Sequence, residues 1–571
     1  MSKYPKISDK NFNKALTRKF SKFRIPDKSK TFREICFPSK FKHQLPQRFV
    51  SEFINPQTPY KGLLVYHRIG AGKTCSGVNI CEQWKKKRKL LVIVPAALIG
   101  NFRKELRSQC AHNEYLTSEE REELKDLHPL SKDYKAIIKK SDARIDKYYT
   151  ILSYHKFVEL ANKKKIKLQK TLMLIDEVQN MISESGTFYT TLLNTIKKAP
   201  DDLRLVLLSA TPMFDKPVEI GLTMNLLRIP KPFPTGSAFN DMFLKVTKNC
   251  RGEKCYGVKN MAKFKSMVKG YISYFRGAPP KVFPSANIKY KKCYMSDFQY
   301  KSYRAVAHSE NFSRKFGKDD ILNLPNNFFI GARIISNIAF PNQKTNHEGY
   351  MSLKSKHMQL QNLKKYSIKF YKIIREIKRA KGPVFVYSNF KEYGGIKSFV
   401  KILKANGFKD YESWGEGAQR SAIWSGDSPR KYREEIKVVF NNKKNSEGGK
   451  IKIMLGSPSI KEGVSLLRVS QVHVIEPYWN MSRLEQIIGR AVRYCSHKDM
   501  PRDRRYVDVY VYLAVHQKYK NTVDKYIYQL AGKKDELISQ FELAMKEAAV
   551  DCQLNKNANV SRHEADIKCL A

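Results

Sequence analysis

Gly62-Leu63-Leu64-Val65-Tyr66-His67-Arg68-Ile69-Gly70-Ala71-Gly72-Lys73-Thr74 decides how this chain is read. Its first five residues are an unbroken apolar run of strand length. Two glycines follow, and then Cys75, Val78 and Cys81 recur at helical spacing. Strand, glycine loop and helix, joined by Gly-Lys-Thr, is the order a phosphate-binding loop needs. Gly70, Ala71 and Gly72 are expected to turn their backbone N–H groups onto phosphate oxygens, at the positive end of the new helix. Lys73 is expected to reach the β- and γ-phosphates of ATP, and Thr74 to hold Mg²⁺ through its hydroxyl. His67 stands where the usual pattern has its first glycine, but Gly70-x-Gly72-Lys73-Thr74 is intact. A glycine-rich turn without a ligand is the plainer alternative; the flanking strand and helix argue against it.

The chain around this loop has 571 residues, too many for one hydrophobic core. Hydrophobic residues make up 42% of it, enough for packed domains rather than disorder. Lys and Arg number 107 against 53 Asp and Glu, a formal charge of +54. Such an excess points to a polyanionic partner, nucleic acid first and an anionic membrane surface second. No apolar run reaches the length of a membrane span, and Met1 to Lys30 lacks the apolar core of a secretory signal. An intracellular, soluble protein without membrane partners is expected. The ten cysteines are scattered, with no paired metal spacing, so free thiols and no structural zinc are expected.

Apolar runs recur after the loop. Leu90–Val94, Tyr149–Leu152, Leu172–Ile175 and Leu205–Leu208 alternate with helical patterns, the signature of a parallel sheet covered on both faces. Asn113–Lys147 reads as a charged insertion opened by the capping box Thr117-x-x-Glu120. A second alternation runs through Pro383–Tyr387, Ser421–Trp424, Ile451–Leu455, Val472–Ile475 and Val509–Ala514. The predicted fold is α/β, with two RecA-like parallel-sheet lobes. The expected boundaries are a basic extension at 1–45, an ATP-binding lobe at 46–229, a mainly helical connector at 230–361, a second lobe at 362–546 and a polar tail at 547–571.

Leu172-Met173-Leu174-Ile175-Asp176-Glu177 is an apolar strand ending in two acids, about a hundred residues after Lys73. Asp176 is expected to position Mg²⁺ through its water shell, and Glu177 to orient and deprotonate the attacking water. Arg490 and Arg493, at i and i+3, are expected on one helical face.

With Asp176-Glu177-Val178-Gln179 the chain resembles the superfamily 2 helicases and, within them, the SNF2-like ATPases, from about Gln47 to Arg493. Related enzymes often have histidine where Gln179 stands. The resemblance implies that Gln179 and Ser209-Ala210-Thr211-Pro212 couple the nucleotide state to lobe movement, through Ser209 and Thr211. It implies that Gln47, 26 positions before Lys73, reads adenine. Val94-Pro95-Ala96-Ala97-Leu98 and Thr150 to Tyr154 fall where the family grips a nucleic-acid backbone. Gln486-x-x-Gly489-Arg490-x-x-Arg493 resembles the sixth motif of the superfamily 2 helicases, with Gln486 a coupling residue. This resemblance implies that Arg490 and Arg493 reach the γ-phosphate from the second lobe. Trp479-Asn480 is SNF2-like, whereas Glu462 replaces a usual glycine.

Further stretches narrow the resemblance: Gln57 to Gly62, Gly270 to Gly277, Ile335 to Ile338, Val386 to Phe390 and Val550-Asp551-Cys552. They look like the helicase-like ATPases of large cytoplasmic DNA viruses, including the nucleoside triphosphatase I and early transcription factor group. This implies ATP and Mg²⁺ as cofactors and a nucleic-acid partner, DNA in preference to RNA. It also implies RNA polymerase or other transcription proteins as partners, action in the host cytoplasm, and packaging in the virion. The expected function is a nucleic-acid-dependent ATPase, helicase or translocase in viral transcription. The alternative is an ATP-switched promoter-binding factor that does not unwind its DNA.

Overall fold

The computed structural model describes residues 4–27, 30–129, 131–248, 254–312, 320–324, 327–461, 464–519, 521–559 and 567–570. The chain forms two compact units. One comprises Met1–Thr247, Tyr256–Pro279 and Leu537–Ala571; the other comprises Lys248–Cys255 and Pro280–Glu536.

The first unit is built on strands β1 (Gly62–His67), β2 (Lys89–Val94), β3 (Tyr149–Ser153), β4 (Thr171–Ile175) and β5 (Arg204–Ser209). A two-stranded ribbon follows, β6 (Leu244–Lys248) with β7 (Lys254–Val258), and β8 (Ile272–Phe275) then returns to the sheet. The order is β3-β2-β4-β5-β1-β8, every pair parallel. Every residue of β1 and β4 is buried. Central parallel strands are covered on both faces, so their sequences read as continuous apolar runs. β1 and β4 are separated only by β5, which brings their carboxyl ends, and the loops after them, to one edge of the unit.

The second unit adds β9 (Ser285–Tyr294), β10 (Val384–Tyr387), β11 (Lys409–Asp410), β12 (Arg420–Trp424), β13 (Ile453–Gly456), β14 (Gln471–Val474) and β15 (Tyr506–Val515). Their order is β11-β12-β13-β10-β14-β15-β9, again all parallel. One apolar core gathers Phe370, Ile374, Phe399 and Val386; another gathers Phe385, Ile436, Met454 and Val509. Alternate residues of one strand, Phe385 and Val386, thus serve opposite faces.

The observed boundaries differ from those expected. The basic extension is not peripheral. Helix α1 (Phe12–Lys19) sends Phe12 and Leu16 into the first core, where Phe20 and Phe23 join Phe49 of helix α2 (Leu45–Phe53). These aromatics are spaced among lysines, so composition hides the buried face. Val550 and Leu554 of the polar tail enter the same core. The region 230–361 is not a helical connector alone: β8 belongs to the first sheet and β9 to the second. β9, Ser-Ala-Asn-Ile-Lys-Tyr-Lys-Lys-Cys-Tyr, lies at a sheet edge, where exposed lysines are tolerated and no apolar run is required. The capping box at Thr117 forms as expected, and Glu120 is also held by Arg144.

The expectation of free thiols fails. Cys75 is bonded to Cys110 and Cys552 to Cys569, while Cys81 and Cys293 are free thiols. The partners lie 35 and 17 residues apart, so only the fold reveals the pairing. Among the described residues, no helix is long and apolar enough to cross a membrane.

Candidate nucleotide site

The loop after β1 leads into helix α3 (Lys73–Trp84), whose N-cap is Gly72. Gly72 adopts φ +71°, and a Cβ there would stand 2.4 Å from the Gln47 side-chain nitrogen. The backbone sign favours glycine at this position, and a side chain there would displace the Gln47 amide. Gln47, buried in α2, donates from Nε2 to the Gly72 carbonyl at 3.2 Å, and its Oε1 accepts from the Gln44 N–H at 2.8 Å. Gln47 therefore pins the loop in this structure, whatever contact it makes with a base.

Lys73 is buried between the two acids, its Nζ 3.1 Å from Asp176 Oδ1 and 2.6 Å from Glu177 Oε1. Burial works against its charge, but Asp176 and Glu177 outweigh it and hold the ammonium above its usual pKa. Asp176 is pushed up, by burial first and by Glu177, while Lys73 opposes the rise. One ammonium against two carboxylates leaves a negative charge in a largely buried place. The Thr74 hydroxyl lies 3.4 Å from Asp176 Oδ2. Two hard oxygen donors beside a charge deficit fit Mg²⁺, which takes few protein ligands and keeps the rest for water and phosphate.

Glu177 sits in the left-handed region, φ 51°, a conformation that costs a non-glycine residue energy and gathers at functional sites. The Tyr154 hydroxyl stands 2.6 Å from the Asp176 carbonyl and 2.8 Å from that of Glu177, bracing the turn from below. At the end of the Thr150–Tyr154 stretch the Tyr154 hydroxyl thus holds the backbone that carries the two acids. Gln179 Nε2 donates to Glu177 Oε2 at 2.6 Å. Ser209 Oγ donates to Gln179 Oε1 at 2.7 Å and accepts from the Thr211 N–H at 3.1 Å. Lys73, Glu177, Gln179, Ser209 and Thr211 thus form one continuous polar chain across β4 and β5. The Thr211 hydroxyl at its end is buried and has no hydrogen-bond partner among the described residues.

His67 is fully buried. Its ring nitrogens contact Ser76 Oγ at 3.2 Å and Ser273 Oγ at 3.1 Å. Burial, helped by Lys73, drives its pKa down to about 3, so it is neutral. Ser273 passes the connection to Asp551, which also accepts from the Tyr274 N–H and Asn555. The residue that breaks the glycine pattern therefore ties α3 to β8 and to the helix Cys552–Asn559. Nothing in the local sequence announces the link beyond Ser76; Ser273 and Asp551 lie about 200 and 480 positions from His67.

In the second unit Gln486 and Arg490 lie on the helix Met481–Ala491, which Asn480 caps through the Arg483 N–H. Arg493 is not on that helix, contrary to the expected shared helical face. The helix stops at Ala491, because Val492 leaves helical geometry at ψ 84°. The two guanidinium groups nevertheless converge: Arg490 Nη1 stands 3.5 Å and Arg493 Nη1 3.1 Å from the Val464 carbonyl, and Arg493 also donates to Ser465. Glu462 lies outside the described residues.

The SNF2-related domain profile matches residues 46–350, and the helicase conserved C-terminal domain profile matches 368–495. The chain belongs to the SNF2-related helicase family. An SNF2-related helicase of this kind hydrolyses ATP and binds nucleic acid. The chain is 55% identical, over 99% of both sequences, to a protein of Acanthamoeba polyphaga mimivirus provisionally named an ATP-dependent RNA helicase. It is 27% identical to a provisionally named helicase of invertebrate iridescent virus 3, over 90% of this chain and 54% of that protein. It is 24% identical to the termination factor NPH-I homolog of African swine fever virus, over 87% of this chain and 77% of the other.

The stretches that narrowed the resemblance to viral helicases become buried polar junctions in this SNF2-related helicase. Gly270–Gly277 and Val550–Cys552 meet at Ser273 and Asp551. Ile335–Ile338 and Val386–Phe390 meet at Glu476, which accepts from Asn337 Nδ2 and Ser388 Oγ, each at 3.0 Å, and from the Asn389 N–H. Lys369 reaches the same Asn337 at 2.9 Å and pairs with Asp524. A buried polar group needs its partner, so such residues are constrained in sets although they lie far apart in sequence.

Proposed function

We propose that this helicase-family ATPase is a nucleic-acid-stimulated motor that works on DNA during viral transcription in the host cytoplasm, with Mg·ATP as its fuel. Lys73 binds the β- and γ-phosphates, Thr74 and Asp176 hold the Mg²⁺, and Glu177 orients and accepts a proton from the attacking water. A Mg²⁺ ion held by Thr74 and Asp176 would supply positive charge to the phosphates. Arg490 and Arg493 supply further positive charge to the γ-phosphate on closure of the nucleotide site. The observation that carries this reading is the chain from Lys73 through Glu177 and Gln179 to Ser209 and Thr211. It joins the residue that handles water to the loop after β5 by hydrogen bonds alone. A shift of Glu177 on hydrolysis is transmitted to Ser209 and Thr211, whose orphaned hydroxyl can take a new partner.

The charge of +54 supports a polyanion as the track. The name of the African swine fever virus relative, a termination factor homolog, supports a role in transcription; DNA as the track, polymerase-associated proteins as partners and carriage in the virion are parts of the same proposal. The name of the mimivirus relative favours a second reading, an RNA-directed helicase. The two are separated by measuring ATPase rates with single-stranded DNA, duplex DNA and RNA as alternative activators, followed by strand displacement. Stimulation by DNA and not RNA supports the first reading. Stimulation by RNA with unwinding replaces it with the second. ATP-dependent promoter retention without stimulated turnover would favour an ATP-switched promoter factor over both.

A further inference from the structure

Cys75 follows directly on Thr74, in the first turn of α3, and its disulfide partner Cys110 lies in the short turn Gln109–Ala111. Two more side chains crowd this bond. A ring nitrogen of His43 and the two sulfurs all lie within 4.8 Å of one another. The Glu105 Oε1 is 3.0 Å from the Cys110 sulfur. A crosslink needs only its two cysteines, so the imidazole and carboxylate are unexplained by the disulfide. The His43 Nε2 is 2.9 Å from the Cys110 carbonyl. A hydrogen bond there puts the proton on Nε2 and leaves Nδ1 with a free lone pair. Metal-binding histidines are oriented in this way, the second nitrogen donating to a backbone carbonyl.

We propose that the reduced chain carries a zinc site here, formed by Cys75, Cys110 and His43 with Glu105, which lies beside the Cys110 sulfur, turning in as the fourth ligand, and that the disulfide is its oxidised, metal-free form. Two thiolates, one imidazole and one carboxylate suit Zn²⁺, which takes four such ligands tetrahedrally. Bonds of about 2.0–2.3 Å put ligand atoms roughly 3.3–3.8 Å apart, so modest side-chain rotations convert the observed cluster. The conversion balances. A dithiol reductant becomes its disulfide as the Cys75–Cys110 bond takes up two electrons and two protons. Zn²⁺ then displaces both thiol protons as it binds. Either form ties the start of α3, and with it Lys73 and Thr74, to the segment around Cys110.

The test uses the full chain, reduced with a phosphine, freed of metal, and titrated with Co²⁺ and then Zn²⁺. The expected result is one Co²⁺ bound at this site with sulfur-to-cobalt charge-transfer absorption, displaced by one equivalent of Zn²⁺. Cys75→Ser and Cys110→Ser should each abolish the band, Cys81→Ser should leave it unchanged, and His43→Ala should weaken affinity at least about tenfold. The oxidised wild-type chain, folded and of identical sequence, should show no band and serves as the control for variant misfolding. Absence of the band in the reduced wild type, or its persistence in Cys110→Ser, overturns the proposal and leaves a structural disulfide.

Discussion

Replacing Gln179 with alanine tests the polar chain at its middle. The side chain makes two bonds. Its donation to Glu177 is charge-assisted, a class worth about 1.5–3 kcal/mol. The Glu177 side chain is 26% exposed, so water replaces part of that bond and the lower end applies. The second bond holds the fully buried Ser209 hydroxyl, whose proton would lose its acceptor at a cost of about 1–3 kcal/mol. That second cost falls on stability and on the loop after β5. Only the first acts on the attacking water, through the orientation of Glu177. About 1.5–2 kcal/mol of lost orientation corresponds to a kcat roughly 10–30-fold lower, with ATP affinity unchanged because Gln179 touches no phosphate-binding residue except through Glu177. Single-turnover hydrolysis with and without DNA, beside nucleotide binding, reads both quantities. Stimulation by DNA should fall further than the basal rate. Gln179→His should recover most of the activity, since one ring nitrogen can accept from Ser209 while the other donates to Glu177. A Gln179→Ala enzyme with kcat within twofold of wild type and full stimulation would refute the relay.

Lys73→Ala should remove the charge facing the phosphates and abolish turnover while the fold persists; residual ATPase above a few per cent would count against the site. Arg490→Ala and Arg493→Ala should each leave ATP bound and slow stimulated hydrolysis, by roughly 10³-fold for the arginine that meets the γ-phosphate; full stimulated rates in both would remove the arginines from the mechanism. Burial raises the Asp551 carboxyl from 3.8 to about 7. The folded chain therefore holds a proton that the unfolded chain releases, and this contribution is complete below about pH 4 and lost as pH rises toward 7. Asp551→Asn should lessen the fall in Tm between pH 4.5 and 7, and parallel Tm profiles would show that Asp551 is not the group responsible. DNA affinity should drop by roughly 10³–10⁵ between 50 and 200 mM salt if about 6–10 phosphates are contacted; a flat titration would mean the +54 charge is spent elsewhere.

The sequence by itself determined the two parallel sheets and the residues of the nucleotide loop. Strands buried on both faces must be continuous apolar runs, and a phosphate cradle must use Gly70, Gly72, Lys73 and Thr74 in fixed order. These constraints are local, so they are visible in a line of letters. Edge strand β9 was not, because an exposed edge carries no such constraint and its lysines resemble a linker. Phe12, Phe20 and Val550 were hidden for the complementary reason: each buries a single face of a polar segment against a core made elsewhere. Tertiary structure alone decided that Gln47 braces Gly72 and that Tyr154 supports the acids. It alone decided that His67 reaches Asp551 through Ser273 and that Cys75 meets Cys110. All four are pairings between distant positions. A buried hydrogen bond or a disulfide requires two groups to meet in space, and nothing in the neighbourhood of either residue records the other.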